Sequence, residues 1–96
     1  MDQEKIITPE LMETSKKEVL TRLAKRVEEK GRAAFHSEHE ASGKLVEEMM
    51  EFIVGIQRRD SMDAKISELE DIAVGAIWAI ASYHAGMKEK KKKDGK

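Results

Sequence analysis

The chain has 96 residues, of which 39% are charged and 4% aromatic, with one proline, no cysteine and a formal net charge of −1. That length makes one small domain whose core is marginal by itself, so association between copies is a natural source of further buried area. The composition favours helix over sheet, the missing cysteines exclude a disulfide framework and a thiolate metal site, and the longest apolar run, Ile72 to Ala81, is too short to span a bilayer.

The charge is unevenly placed. From Lys88 to Lys96 six lysines stand against Glu89 and Asp94, a charge of +4, whereas residues 1–87 hold 12 basic and 17 acidic side chains, a charge of −5. An acidic body with few aromatics does not suit specific nucleic-acid binding, which needs positive charge and stacking surfaces on the folded part. The opening Met-Asp-Gln-Glu-Lys has no apolar signal region. A cytoplasmic protein without membrane association is expected.

Residues 1–7 read as a loose start. Thr8-Pro9-Glu10 then opens a first helix: Thr caps, Pro suits the first helical position, and Glu suits the positive end of the helix dipole. Leu11, Met12, Val19, Leu20, Leu23, Val27 and Ala34 form its apolar stripe, with Gly31 bending or ending it. Ser37 with Glu40 makes a capping-box pattern for a second helix running to about Arg58. His36 and His39 nearby have a spacing that zinc can use, but no third ligand completes a zinc set.

On the second helix Glu40, Lys44, Glu47, Glu48, Glu51, Gly55 and Arg58 fall on one side at 100° per residue. Leu45, Met49, Phe52 and Ile56 fall opposite, widened by Val46 and Ile53. Met50 and Val54 add a third apolar side, so the helix is expected to be enclosed by several neighbours with its acidic stripe turned into a cleft. After the polar link Gln57–Asp63, with Ser61 or Asp63 as cap, a third helix is expected over about Ala64–Ala85, stopped by Gly86. It is apolar on almost every side, hence expected to be buried, except for a stripe of Glu68, Asp71, Gly75 and Ser82 edged by Trp78. Residues 1–87 are therefore read as one all-α domain and 88–96 as a disordered Lys-rich tail.

The acidic stripes carry the chemistry. Glu48 and Glu51 share one helical face, and Glu68 and Asp71 share another. Two antiparallel helices joined by a short link can bring the pairs together. Converging carboxylates in a low-dielectric cleft repel one another and lose hydration, which protons, Lys or Arg partners, or cations relieve. Oxygen-only ligation favours Mg²⁺, with Mn²⁺ as a substitute. Magnesium held by few carboxylates completes its shell with water and phosphate oxygens, so a phosphate-ester or phosphoanhydride substrate is expected. Glu47 is the candidate to orient or deprotonate the attacking water. Lys44 and Arg58 are candidates to meet phosphates.

Glu48-x-x-Glu51, sixteen intervening residues and Glu68-x-x-Asp71 resemble the ExxE…ExxD signature of the MazG-like all-α nucleoside triphosphate pyrophosphohydrolases, which include dimeric dUTPases. Leu45-Val-Glu-Glu-Met-Met-Glu-Phe looks like that family's first motif helix and Glu68-Leu-Glu-Asp-Ile-Ala like its second. The related phosphoribosyl-ATP pyrophosphohydrolases share Lys44-x-x-Glu47-Glu48-x-x-Glu51, although their Gly-Ser-Tyr-Thr-like stretch has no counterpart upstream. The resemblance covers roughly residues 33–85. It implies Mg²⁺ on Glu48, Glu51, Glu68 and Asp71, a nucleotide substrate cleaved to monophosphate and pyrophosphate, and a three-helix protomer completed into a multihelical bundle by a homodimer or homotetramer. A helical interaction module without catalysis is the alternative.

Overall fold

A computed structural model describes residues 5–89, so the expected loose start is covered only from Lys5 and the Lys-rich tail beyond Glu89 lies outside the described residues. Three helices follow one another, α1 (Pro9–Lys30), α2 (Glu38–Gln57) and α3 (Met62–His84). Each starts where a hydroxyl satisfies an orphan N–H of the first turn. Thr8 accepts from the Leu11 N–H at 3.1 Å, Ser37 from Glu40 at 3.2 Å and Ser61 from Ala64 at 3.1 Å. Glu40 adds to the second cap by accepting the His36 N–H at 2.6 Å, one residue further out than in a standard capping box. Because Ser61 and not Asp63 is the cap, α3 begins at Met62, two residues before the expected Ala64.

The turn between α2 and α3 is tight. Arg59 adopts a left-handed conformation, φ 62°, and the Asp60 N–H closes onto the Gly55 carbonyl at 2.9 Å. This 6→1 bond satisfies one of the last carbonyls of α2 and reverses the chain within a few residues. The result is the antiparallel α2–α3 pair expected for the two helices that carry the acidic motifs.

α3 is the shared element: α2 packs against it, α1 packs against it, and α1 and α2 do not pack on each other. The α2 seam is Ala41, Leu45, Glu48, Phe52 and Gly55, alternating four and three residues apart as in a coiled-coil stripe. Ala41, Glu48 and Gly55 are buried there, with Leu45 and Phe52 half-buried. On α1 the inward stripe is Val19, Arg22, Leu23, Arg26 and Val27, all half-buried, and no α1 residue is fully buried. Leu11, Met12 and Leu20, expected in that stripe, are exposed because α1 packs on α3 alone, through the stripe from Val19 to Val27. The connector between α1 and α2 is strapped to the end of α3. The Phe35 N–H donates to Ser82 Oγ at 2.9 Å, and the Trp78 indole N–H donates to the Ala33 carbonyl at 2.8 Å. Ser37 and Lys88 add an isolated parallel bridge, so Lys88 belongs to the fold and not to a free tail.

Two expectations change here. α3 was expected to be buried on nearly every side and α2 to be enclosed. In the single chain Val74, Gly75 and Ser82 are the buried residues of α3, and Val46, Met49, Met50, Ile53, Val54 and Ile56 of α2 are 36–60% exposed. The reason is arithmetic of neighbours: three helices give α3 two partners and α2 only one. The molecule measures 59 × 33 × 26 Å with a radius of gyration of 16.8 Å, against about 13 Å for a compact domain of roughly this length. No described helix is long and apolar enough to cross a membrane.

Candidate functional site

The α2 seam sends a carboxylate into the α2–α3 interface. Glu48 is 5% exposed, and its Oε1 is a buried side-chain oxygen without a hydrogen-bond partner. Gly75 of α3 makes the room for it. A Cβ built on Gly75 would lie 2.9 Å from Glu48 Oε1 and 3.0 Å from Leu45 Cδ2, closer than ordinary contact, so this register depends on the missing side chain. Burial pushes the Glu48 carboxyl above its ordinary pKa; Lys44 opposes this, Asp71 adds to it, Arg26 opposes it and Glu51 adds to it. Burial disfavours the charged form because a low-dielectric surrounding replaces hydration, and Lys44 one turn away only partly offsets it.

Glu51, three residues on, does not follow Glu48 inward. It is exposed and lines a groove with Glu47, Met50, Val54, Arg58 and Glu68. Glu68 is half-buried, and its carboxyl is also held above its ordinary pKa, first by burial and then by Glu51, Asp71 and Asp60, against Arg22. The helix geometry explains the split. Positions three apart are about 60° off register, so one can sit in a seam while the other flanks it.

Asp71 meets α1. The Arg22 guanidinium donates from Nη1 to Asp71 Oδ1 at 3.1 Å, from Nε to Glu70 Oε1 at 3.0 Å and from Nη2 to Ser67 Oγ at 3.0 Å. Arg26 Nη2 reaches the same Asp71 oxygen at 3.4 Å. Burial works against the charge on Arg22, yet Asp71 and Glu70 together hold its pKa above the ordinary value. Arg22 thereby ties three α3 side chains to one planar fork, which a lysine could not do.

The remaining predicted residues divide between two regions. Lys44 reaches Glu47 Oε1 at 3.5 Å, and Arg58 pairs with Asp60 at 3.0 Å at the exposed turn. His36 and His39 line different cavities. Among the described residues no three His, Asp or Glu side chains converge as a metal-holding group. The donor chemistry is nevertheless that of a hard cation: an unpartnered buried carboxyl oxygen, with Asp71 near enough to raise its pKa, and Glu51 beside Glu68. Asp71 meets two guanidinium groups where such a site would have a cation.

Sequence reasoning overlooked Arg22, Arg26 and Lys30. Their spacing of four residues puts them along one side of α1, facing the acidic stripe of α3, and that i, i+4 run of cations was the available signal. It also overlooked the role of Gly75, for which the sequence carried no signal beyond a glycine inside a helix. A cavity of about 380 Å³ lies beside Glu48, walled by Arg26, Lys30, Lys44, the connector, Gly75 and Trp78.

No family model, no curated protein and no solved structure matches the chain.

Proposed function

We propose that the protein is a Mg²⁺-dependent nucleotide pyrophosphohydrolase working as a homodimer or homotetramer in the cytoplasm, cleaving a nucleoside triphosphate or related nucleotide to the monophosphate and pyrophosphate. The observation that supports this most is Glu48, a buried carboxyl with an oxygen lacking any partner, kept open by Gly75. A native interior leaves few such atoms unsatisfied, and each calls for an explanation. In this reading Glu48, Glu51, Glu68 and Asp71 hold the cation, with Mn²⁺ able to replace Mg²⁺. The cation would neutralise phosphate charge and acidify a bound water. Glu47, exposed on the same groove as Glu51 and Glu68, would orient that water. Lys44 and Arg58 would take phosphoryl oxygens.

The oligomer rests on the exposed arc of α2. Its six apolar side chains are 36–60% exposed, and Ile66 and Leu69 of α3 are exposed as well; a contiguous apolar arc of this kind marks an interaction surface. A second copy would cover this arc and restore the enclosure that the apolar pattern of α2 demands. The same arc favours the second reading, a helical assembly module without catalysis.

The deciding experiment measures pyrophosphate release from a panel of nucleoside triphosphates and phosphoribosyl-ATP with Mg²⁺ or Mn²⁺, beside the Glu48→Gln/Asp71→Asn double variant. Metal-dependent release by the parent and none by the double variant is expected. A folded parent that neither binds Mn²⁺ nor turns over any nucleotide would replace the enzyme with the assembly module.

A further inference from the structure

We infer that the cavity beside Glu48 receives the phosphate chain of a metal-chelated ligand, with Lys30 and Arg26 of α1 as phosphate-binding residues. The inference rests on the metal-dependent reading above and assigns α1 a part in binding beyond packing on α3.

The cavity is lined by opposite charges. Glu48, 5% exposed and with its Oε1 unpartnered, is among the lining residues. On its walls stand Arg26, Lys30 and Lys44, with His36 beside them. None of the three cations is well satisfied. Arg26 reaches Asp71 at 3.4 Å and Lys44 reaches Glu47 at 3.5 Å, both long for charge-assisted bonds. Lys30 makes no ion pair or hydrogen bond among the described residues. The other acid on the wall, Glu40, is engaged by the His36 N–H.

A bare anion would meet Glu48 with like charge, and a bare cation would meet Arg26, Lys30 and Lys44. A divalent ion with phosphate oxygens attached satisfies both charges: the ion at the carboxylate, the oxygens at the lysines and the arginine. Magnesium held by one or two carboxylates completes its shell with phosphate oxygens in the same manner. At about 380 Å³ the cavity falls within the range usual for small-ligand sites, roughly 300–1,000 Å³. Its walls are also preorganised, since Trp78 is pinned to Ala33 and Phe35 to Ser82.

The test is calorimetric binding of pyrophosphate to the full chain, with and without Mn²⁺, for the parent, Lys30→Gln, Arg26→Gln/Lys30→Gln and Lys16→Gln. Lys16 pairs with Glu13 on the exposed part of α1 and controls for loss of one positive charge. Expected are pyrophosphate binding that requires Mn²⁺, about tenfold weakening in Lys30→Gln, a further loss in the double variant, and no change in Lys16→Gln. Because Lys30 is exposed, its variant keeps the parent's melting temperature within a few degrees. A parent that binds Mn²⁺ and pyrophosphate with Lys30→Gln binding equally well would overturn the α1 assignment and leave the function standing. A parent that binds neither would overturn both.

Discussion

Substituting Gly75 by alanine tests the one close approach on which the Glu48 site depends. The added Cβ would stand 2.9 Å from Glu48 Oε1 and 3.0 Å from Leu45 Cδ2. Both neighbours are side-chain ends, Glu48 in the seam between the helices and Leu45 half-buried, and at least one must shift; Glu48 has room only toward the cavity beside it, which takes it out of its seam position. Overpacking of this kind costs about 1–3 kcal/mol. Against it, Gly→Ala in a helix interior contributes about 1 kcal/mol. Gly43, in the exposed middle of α2, supplies the reference, since a Cβ there meets nothing within 4 Å. Gly43→Ala should therefore raise stability by about 1 kcal/mol, and Gly75→Ala should lower it by up to about 2 kcal/mol. The difference between the two variants isolates the collision, because both gain the same helix propensity. Urea unfolding at one fixed protein concentration, in buffer containing EDTA, measures both; fixing the concentration removes the contribution of self-association. If the two alanine variants are equally stable within about 0.5 kcal/mol, where surface substitutions normally fall, the Gly75–Glu48 packing is wrong.

Other outcomes follow from the same geometry. Arg22→Met strips partners from Glu70 and Asp71, whose side chains are 15% and 24% exposed; a loss of roughly 1–3 kcal/mol is expected, between surface and buried ion pairs, with faster amide exchange along α1. Unchanged exchange in α1 would show that its apolar contacts alone hold it. In metal-free buffer the raised Glu48 pKa means that the folded chain holds a proton the unfolded chain has already released. The contribution of Glu48 to stability should thus be greatest in acid and fall as pH rises from the unfolded carboxylate pKa through the folded one. Glu48→Gln removes that fall, so its advantage over the parent should appear only above the ordinary carboxylate range; an advantage that does not change with pH would contradict it. Arg59→Gly relieves a left-handed, non-glycine residue at φ 62° and should stabilise by about 0.5–1 kcal/mol in the same unfolding assay. Finally, for the proposed oligomer, Ile53→Asp in the middle of the exposed α2 arc should reduce the sedimentation coefficient from the parent's to that of a single chain, whereas an unchanged value would contradict association through this arc.

The three helices and their caps were legible in the sequence because they depend on local chemistry. Thr8-Pro9, Ser37 with Glu40, and Ser61 each satisfy backbone groups within three or four residues of themselves. The antiparallel packing of the two helices that carry the acidic motifs was legible for a related reason, since a short polar link between two amphipathic helices favours a hairpin. Which of the acids goes inside was not. Glu48 and Glu51 lie on one stripe, and only the packing seam of Ala41, Glu48 and Gly55 against α3 separates the buried carboxyl from the exposed one. The sequence likewise determined that α2 is apolar on more sides than one neighbour can cover, while the tertiary structure decided which side remains bare. The two arginines on Asp71 lie 49 and 45 residues before it in the chain, and the lysine beside the Glu48 cavity comes from the same helix. Periodicity states which residues share a helix face; only the docking of α1 on α3 determines what that face meets.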